Sequence, residues 1–226
     1  MSDELRQMMD NVKAYVELEK MLGMSEIEAP AGKKTAIGKD AKQQLLHDLK
    51  REATACKECG LCGKRTNLVF GEGNPNAKLM FVGEAPGADE DLQGRPFVGR
   101  AGQLLTKIIQ AMGMRREDVY IANILKCRPP NNRSPLPTEV ASCTAILTRQ
   151  VEIIGPRVIC ALGKFAGQFL ANSADTISNL RGKTFHYRDV ILIPTFHPAY
   201  LLRNPNDKGL VWRDMKKIMK ILKEQG

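Results

Sequence analysis

The chain has 226 residues, 43% of them hydrophobic, which is enough for one full α/β core with an extension. Its 34 Lys and Arg against 25 Asp and Glu leave a formal charge of +9, a bias toward polyanionic partners rather than a basic tail, with nucleic acid ahead of an anionic membrane surface. Asp3 and Glu4 stand where a secretory signal would be basic, and no apolar run approaches membrane-spanning length; a soluble, cytoplasmic protein with no membrane partner is expected.

Residues 1–23 carry Leu5, Met8 or Met9, Val12, Tyr15 or Val16, and Leu22 as an amphipathic helical stripe short of strong core residues. Glu26 to Lys39, with Pro30, two glycines and alternating charge, has linker composition. Residues 1–39 therefore read as an N-terminal helical extension with its linker, and 40–226 as the main domain. Asp40 is an N-cap candidate for a helix running to Ala55, with Leu45, Leu46 and Leu49 on one side. Leu79 to Val82 is the kind of short apolar run that forms a strand buried on both faces, and Gly83 ends it. In the GEAPG turn that follows, two glycines and a proline let backbone approach a ligand closely. After an acidic run and a second glycine-rich turn, Gly99 to Gly113 is helical, with Leu104, Leu105, Ile108, Ile109 and Met112 at three-to-four spacing.

Further buried-strand runs cover Val119 to Leu125, Pro156 to Leu162 and Val190 to Pro194, and helical patterns cover Pro137 to Ile154, Lys164 to Ala171 and Asp207 to Lys223. Strands alternating with helices imply a three-layer α/β/α fold around a mostly parallel, four-stranded sheet. Ligands of such sheets gather at the carboxyl ends of the strands, here the loops after Val82, Leu125, Leu162 and Pro194.

In a reducing compartment six cysteines are metal-ligand candidates before they are a disulfide framework. Cys160, inside a strand, reads as a small core residue. Cys56, Cys59 and Cys62 are spaced as C-x2-C-x2-C, with Cys127 and Cys143 far downstream. Four thiolates hold either tetrahedral zinc or an iron-sulfur cluster, and spacing does not separate the two. Either would be structural and would staple the polar loop from Lys126 to Arg133, KCRPPNNR, to the segment before the first strand.

With these residues assembled, the chain from about residue 45 onward resembles the family 4, iron-sulfur branch of the uracil-DNA glycosylase superfamily. GEAPG at 83–87, GRPFVGRAGQLL at 94–105, NILKCRPPNNRSP at 123–135 and FHPAYLLRNP at 196–205 occur in that family's order, and the paired cysteines fall at its spacing. The resemblance implies a [4Fe-4S] cluster bound by Cys56, Cys59, Cys127 and Cys143, with Cys62 and Cys160 outside it and structural zinc as the alternative. It implies excision of uracil from single- or double-stranded DNA by a monomer, in the cytoplasm and at the nucleoid of a prokaryote.

Carried over residue by residue, the resemblance has Phe97 stack on the flipped uracil beside Gly83 and Ala85. Asn123 reads the Watson-Crick edge of the base, and His197 donates to the uracil oxygen where charge develops. Ala85 stands where some other branches carry a water-orienting aspartate, so Glu84 or Glu90 would position water or stabilise the cationic sugar. Leu201 would fill the gap left by the base, with Tyr200 and Leu202 as rivals. Arg203, Lys126, Arg128 and Arg133 would contact phosphates. His47 and His186 match no motif. The competing readings are a non-catalytic iron-sulfur nucleic-acid-binding module, an electron carrier, and a superfamily relative with another base preference or a covalent outcome. The carrier would not require Asn123, Phe97 and His197 around one strand edge.

Overall fold

A computed structural model describes residues 38–224. The expected helix over residues 1–23 and nearly all of the expected linker lie outside them. Within the described residues the apolar runs become strands where a neighbour on each side satisfies their backbone. In chain order the elements are α1 (Lys39–Ala55), β1 (Glu72–Gly73), β2 (Leu79–Gly83), α2 (Ala88–Gln93), α3 (Arg100–Ala111), β3 (Tyr120–Asn123) and α4 (Pro137–Ile154). The second half holds β4 (Val158–Leu162), α5 (Lys164–Leu170), α6 (Ile177–Leu180), β5 (Phe185–Tyr187), β6 (Val190–Thr195), α7 (Pro198–Arg203) and α8 (Lys208–Glu224).

The sheet has six strands in the order β1-β3-β2-β4-β6-β5. Its centre, β3-β2-β4-β6, is the expected parallel set, with Gly83 opposite Asn123 and Leu162 opposite Thr195 at the carboxyl ends. Two short antiparallel edges, β1 and β5, make the sheet six-stranded and mixed rather than four-stranded. Neither carries a strand signal. β1 is two residues long, and β5 turns into β6 through Arg188 and Asp189, with Arg188 in the left-handed region (φ 53) and no Asn-Gly or Asp-Gly to announce the hairpin.

Successive strand residues point to opposite faces, so each apolar run serves two cores at once. Met80, Val82, Ala122, Ile159, Ala161 and Leu192 pack on the side of α1, α4 and α5. Leu79, Phe81, Ile121, Val158, Cys160 and Ile193 pack on the side of α3 and α8. This gives the three layers. Cys160 is fully buried in β4, as its strand position implies. One local expectation fails at α1, where Gly38 occupies the N-cap position with no side-chain cap and Asp40 lies in the first turn instead. There its charge meets the positive end of the helix dipole rather than a free amide.

Candidate active site

The carboxyl ends of β2, β3 and β6 open into a cleft of about 540 Å³ lined by Glu84, Ala85, Phe97, Asn123, His197 and Arg203 among others. That volume is in the range of small-molecule sites. The four groups expected to converge, Glu84, Phe97, Asn123 and His197, do so.

Asn123 is the last residue of β3 and only 2% exposed, and its Oδ1 has no hydrogen-bond partner among the described residues. An unpaired buried amide oxygen costs about 1 to 3 kcal/mol in a closed structure, a cost that a donor entering the cleft would relieve. Gly83 lies directly opposite. A methyl group there would come within 2.4 Å of Asn123 Oδ1 and 2.7 Å of the Phe97 ring, so only glycine leaves both side chains in place.

Phe97 is 6% exposed and sits in the left-handed region at φ 52, a conformation that costs a non-glycine residue energy and persists only when its surroundings impose it. Three neighbours do so. Gly102 at the start of α3 leaves space for the Phe97 carbonyl, which an added Cβ would meet at 1.9 Å. Arg116 donates to the Pro96 carbonyl and is itself held by Glu72 at 2.9 Å. The Glu90 carboxylate accepts from the Gly87, Val98 and Gly99 amides at 3.2, 2.9 and 3.0 Å, closing the loop on both sides of Phe97.

His197 follows β6 and caps α7. Its Nδ1 accepts from the Ala199 amide at 3.1 Å, so the proton of the neutral ring resides on Nε2. Burial lowers its pKa to about 4, with Glu90 opposing and Arg203 reinforcing the shift, so the ring is neutral near pH 7. Phe97 and His197 lie with ring centroids 5.6 Å apart. Beneath them, Thr195 Oγ donates to Asp214 at 2.7 Å, Asp214 is paired with Arg181, and Arg181 stacks over Phe196 at 5.8 Å. Gly163, at φ +92, leaves room for the His197 side chain, which an added Cβ would meet at 2.9 Å.

Glu84 is half-buried with no side-chain hydrogen bond among the described residues, and burial raises its pKa above the usual carboxylate value. The two acidic candidates thus separate: Glu90 is occupied by three backbone amides, and Glu84 is available to a reactant.

Two expectations need correction. Leu201 cannot act as a wedge from its present position, because it is 1% exposed and packs with Leu104, Val211 and Met215 between α3 and α8. The exposed neighbour is Leu202, at 41%, while Tyr200 donates its hydroxyl to Asp207 at 2.6 Å. Of the expected phosphate contacts, Lys126 is fully buried. Arg133 is held by both oxygens of Glu139 at 2.9 and 2.6 Å, and Arg128 bonds Asn132 at 2.8 Å. Arg203 remains exposed at the cleft rim. Periodicity could not mark Lys126, since a basic residue in a proline-rich loop reads as surface. The second row of supports, Gly102, Arg116, Gly163 and Asp214, carries little signal in the sequence beyond a glycine inside the α3 pattern and a polar Thr195 closing an apolar strand.

Away from the cleft, Cys56, Cys59, Cys62, Cys127 and Cys143 line one small cavity with Arg65 and Lys126. Arg65 donates to Cys127 Sγ at 3.2 Å, and the Lys126 amide to Cys143 Sγ at 3.3 Å. Burial raises both the Cys127 and the Cys143 thiols, Cys143 to about 11, and the adjacent cations Arg65 and Lys126 oppose the shift. Among the described residues no three such side chains close around a point that would hold a single metal ion.

A model of the uracil DNA glycosylase superfamily matches residues 70–216. The type-4 uracil-DNA glycosylase of Archaeoglobus fulgidus is 50% identical over 183 residues, covering 77% of this chain and 92% of that protein. Those of Thermotoga maritima and Sulfurisphaera tokodaii are 46% and 44% identical, covering 82% and 78% of this chain and 98% and 84% of their own. With the site at the carboxyl ends of the sheet and the matched region running through β1 to α8, the chain belongs to the uracil DNA glycosylase superfamily, in its type-4 branch.

Proposed function

We propose that this chain removes uracil from DNA by hydrolysing the N-glycosidic bond, leaving an abasic site for base excision repair. The observation that carries the reading is the orphaned Asn123 Oδ1, buried in a cleft walled by an aromatic ring and a neutral imidazole. Uracil presents an N3–H donor and an O4 acceptor on one edge, which match an amide oxygen and amide nitrogen. Cytosine reverses both and would leave the amide unpaired.

A base must leave the stack to reach this cleft, at a cost of a few kcal/mol. Phe97 offers the flipped ring a stacking surface, and Leu202, exposed beside the buried Leu201, is the apolar side chain free to fill the vacated gap. Arg203 supplies a phosphate contact at the rim. As the C1′–N1 bond breaks, its electron pair passes to uracil. His197 donates Nε2–H to the uracil oxygen where the charge grows, without transferring a net charge of its own. Glu84 orients a water whose oxygen bonds to C1′, and its carboxylate takes the released proton. Gly83 and Ala85 keep this floor low enough for the base to enter. Glu90 acts by holding the Phe97 loop.

The cysteine cavity is lined by thiols of the kind that hold an iron-sulfur cluster or a zinc ion. Four thiolates serve tetrahedral zinc as well as a cluster; N–H donors to sulfur such as those of Arg65 and Lys126 would tune a cluster, and the cysteine spacing shared with the type-4 branch favours it. Cys56, Cys59, Cys127 and Cys143 would hold a [4Fe-4S] cluster, whose contribution would be structural: tying the loop after β3 and the helix α4 to the segment after α1. Cys62 lines the same cavity outside that set. No described helix is long and apolar enough to cross a membrane. The reading is of a monomer acting on single- or double-stranded DNA at a prokaryotic nucleoid.

The test is release of uracil from a uracil-containing oligonucleotide by anaerobically purified protein with nothing added. Strand cleavage after alkali supports the enzyme. Binding without cleavage leaves the non-catalytic module as the better account.

A further inference from the structure

Lys126 is fully buried, yet no carboxylate accompanies it among the described residues. Its Nζ folds back across three residues to donate to the Asn123 carbonyl at 2.6 Å, and donates to Gln150 Oε1 at 2.7 Å. Gln150, also fully buried, uses its Nε2 for the Phe70 carbonyl and the Tyr120 hydroxyl at 2.9 and 3.2 Å, so its oxygen has only one orientation, toward the lysine. The Lys126 backbone is fixed as firmly, its carbonyl accepting from the Val69 amide at 2.9 Å and its amide donating to Cys143 Sγ. Burying an ammonium against two neutral oxygens is costly, and a methionine of similar length would fill the same space.

The network leads to one place. Asn123 is where the chain leaves the sheet: the next two amides, Ile124 and Leu125, bond the Gly83 and Glu84 carbonyls at 3.0 Å each, and the Asn123 carbonyl points inward to Lys126. Holding that carbonyl fixes the peptide plane after Asn123, and with it the direction in which the side chain leaves Cα. With Oδ1 of Asn123 unpaired among the described residues, the placement of its amide against the base depends on how firmly the backbone beneath it is held, by β2 on one side and by Lys126 on the other.

We propose that Lys126, supported by Gln150, is a positioning residue that fixes the Asn123 amide in the orientation selecting uracil over cytosine. The inference rests on the uracil-reading role of Asn123 given above. It also makes the loop that joins the cysteine cavity to the cleft a continuous mechanical element, since one residue is bonded to Cys143 at its amide and to Asn123 at its side chain.

Lys126→Met keeps the apolar stem and removes the donors. It is measured beside the unaltered protein for kcat and KM on a uracil oligonucleotide and for inhibition by free uracil and free cytosine. Iron content and melting temperature are recorded for each protein. The expected result is a kcat/KM about 10- to 100-fold lower, with the ratio of cytosine to uracil inhibition constants narrowed at least tenfold. A merely structural role lowers the melting temperature and leaves that ratio alone. A folded, iron-loaded Lys126→Met with the unaltered ratio and rate overturns the proposal. Where Lys126→Met does not fold or load, Gln150→Leu decides: it keeps the bond to Asn123 but removes the second acceptor, and the ratio narrows about threefold, an unchanged ratio overturning the proposal. If the unaltered protein itself releases no uracil, the proposed function fails instead, so the two failures are distinct.

Discussion

Adding one methyl group at Gly83 should disable the site while leaving the fold standing. The new Cβ would lie 2.4 Å from Asn123 Oδ1 and 2.7 and 2.9 Å from two atoms of the Phe97 ring, all inside the 3.0 Å that real Cβ contacts do not breach. Neither neighbour yields cheaply. Phe97 is pinned in its left-handed turn by the tight packing at Gly102, and Asn123 is a paired residue of β3 opposite Gly83 itself. Overpacking of this kind costs about 1 to 3 kcal/mol, and a displacement of about 1 Å in a reacting group costs on the order of 10²-fold in rate. Gly83→Ala should therefore fold, melt about 4 to 8 °C lower for a loss near 2 kcal/mol, and show a kcat/KM for uracil excision about 10²-fold below the unaltered protein in a single-turnover assay. Gly209→Ala is the matched control, because a Cβ there meets nothing within 4 Å and replaces glycine in the first turn of α8. It should keep the full rate and lose no stability. A Gly83→Ala protein with the unaltered rate and melting temperature would refute the close approach of Gly83, Phe97 and Asn123.

His197→Ala should lose about 10² to 10³ in kcat with KM little changed. Because the folded pKa of His197 is about 4 against an ordinary 6.5, the folded state binds fewer protons between those values. The stability contributed by the neutral ring is therefore complete above about 6.5 and is lost as pH falls toward 4; the decline in urea midpoint over that window should flatten in His197→Ala, and an unchanged decline would place the titration elsewhere. Glu84→Gln should lower kcat by about 10² to 10⁴. In the unaltered protein the rate should fall on the acid side as the raised Glu84 carboxyl takes up its proton, and an acid limb that survives in Glu84→Gln would remove this residue from the role. Cys127→Ala should lose bound iron and acid-labile sulfide, whereas Cys62→Ser should retain both; equal loss from the two would make Cys62 a ligand.

The parallel core was readable because a strand buried on both faces leaves no polar residue to interrupt it: LMFV, VICAL and VILIP each mark their own place. The edges were not, since β1 and β5 form through backbone pairing with a neighbour and need no pattern of their own. The same division runs through the site. Phe97, Asn123 and His197 stand out as groups out of keeping with a turn, a strand or a loop, and so could be named. Leu201 and Leu202 are adjacent and chemically identical, and only the packing of α7 against α3 and α8 determines which faces out. Lys126 shows the same limit in reverse, as its sequence neighbours are those of a surface loop while its side chain runs inward to the end of β3.

Three of the four converging groups are held before any substrate arrives. Phe97 is fixed by Gly102, Arg116 and Glu90, Asn123 by β3 and Lys126, and His197 by the Ala199 amide above the Thr195–Asp214–Arg181 network. The proposed stacking, edge reading and oxyanion donation would gain from such fixation, because a dipole already aimed needs no reorganisation when charge develops. Glu84 lacks a comparable tether among the described residues. A group that must gather a water and then take its proton gains nothing from a permanent partner, which would compete for the same lone pairs. The contrast between three anchored side chains and one unanchored carboxylate suits hydrolysis of the glycosidic bond of a stationary base by a mobile water, and it is the ground on which the proposed mechanism gives the water to Glu84 while Glu90 holds the Phe97 loop.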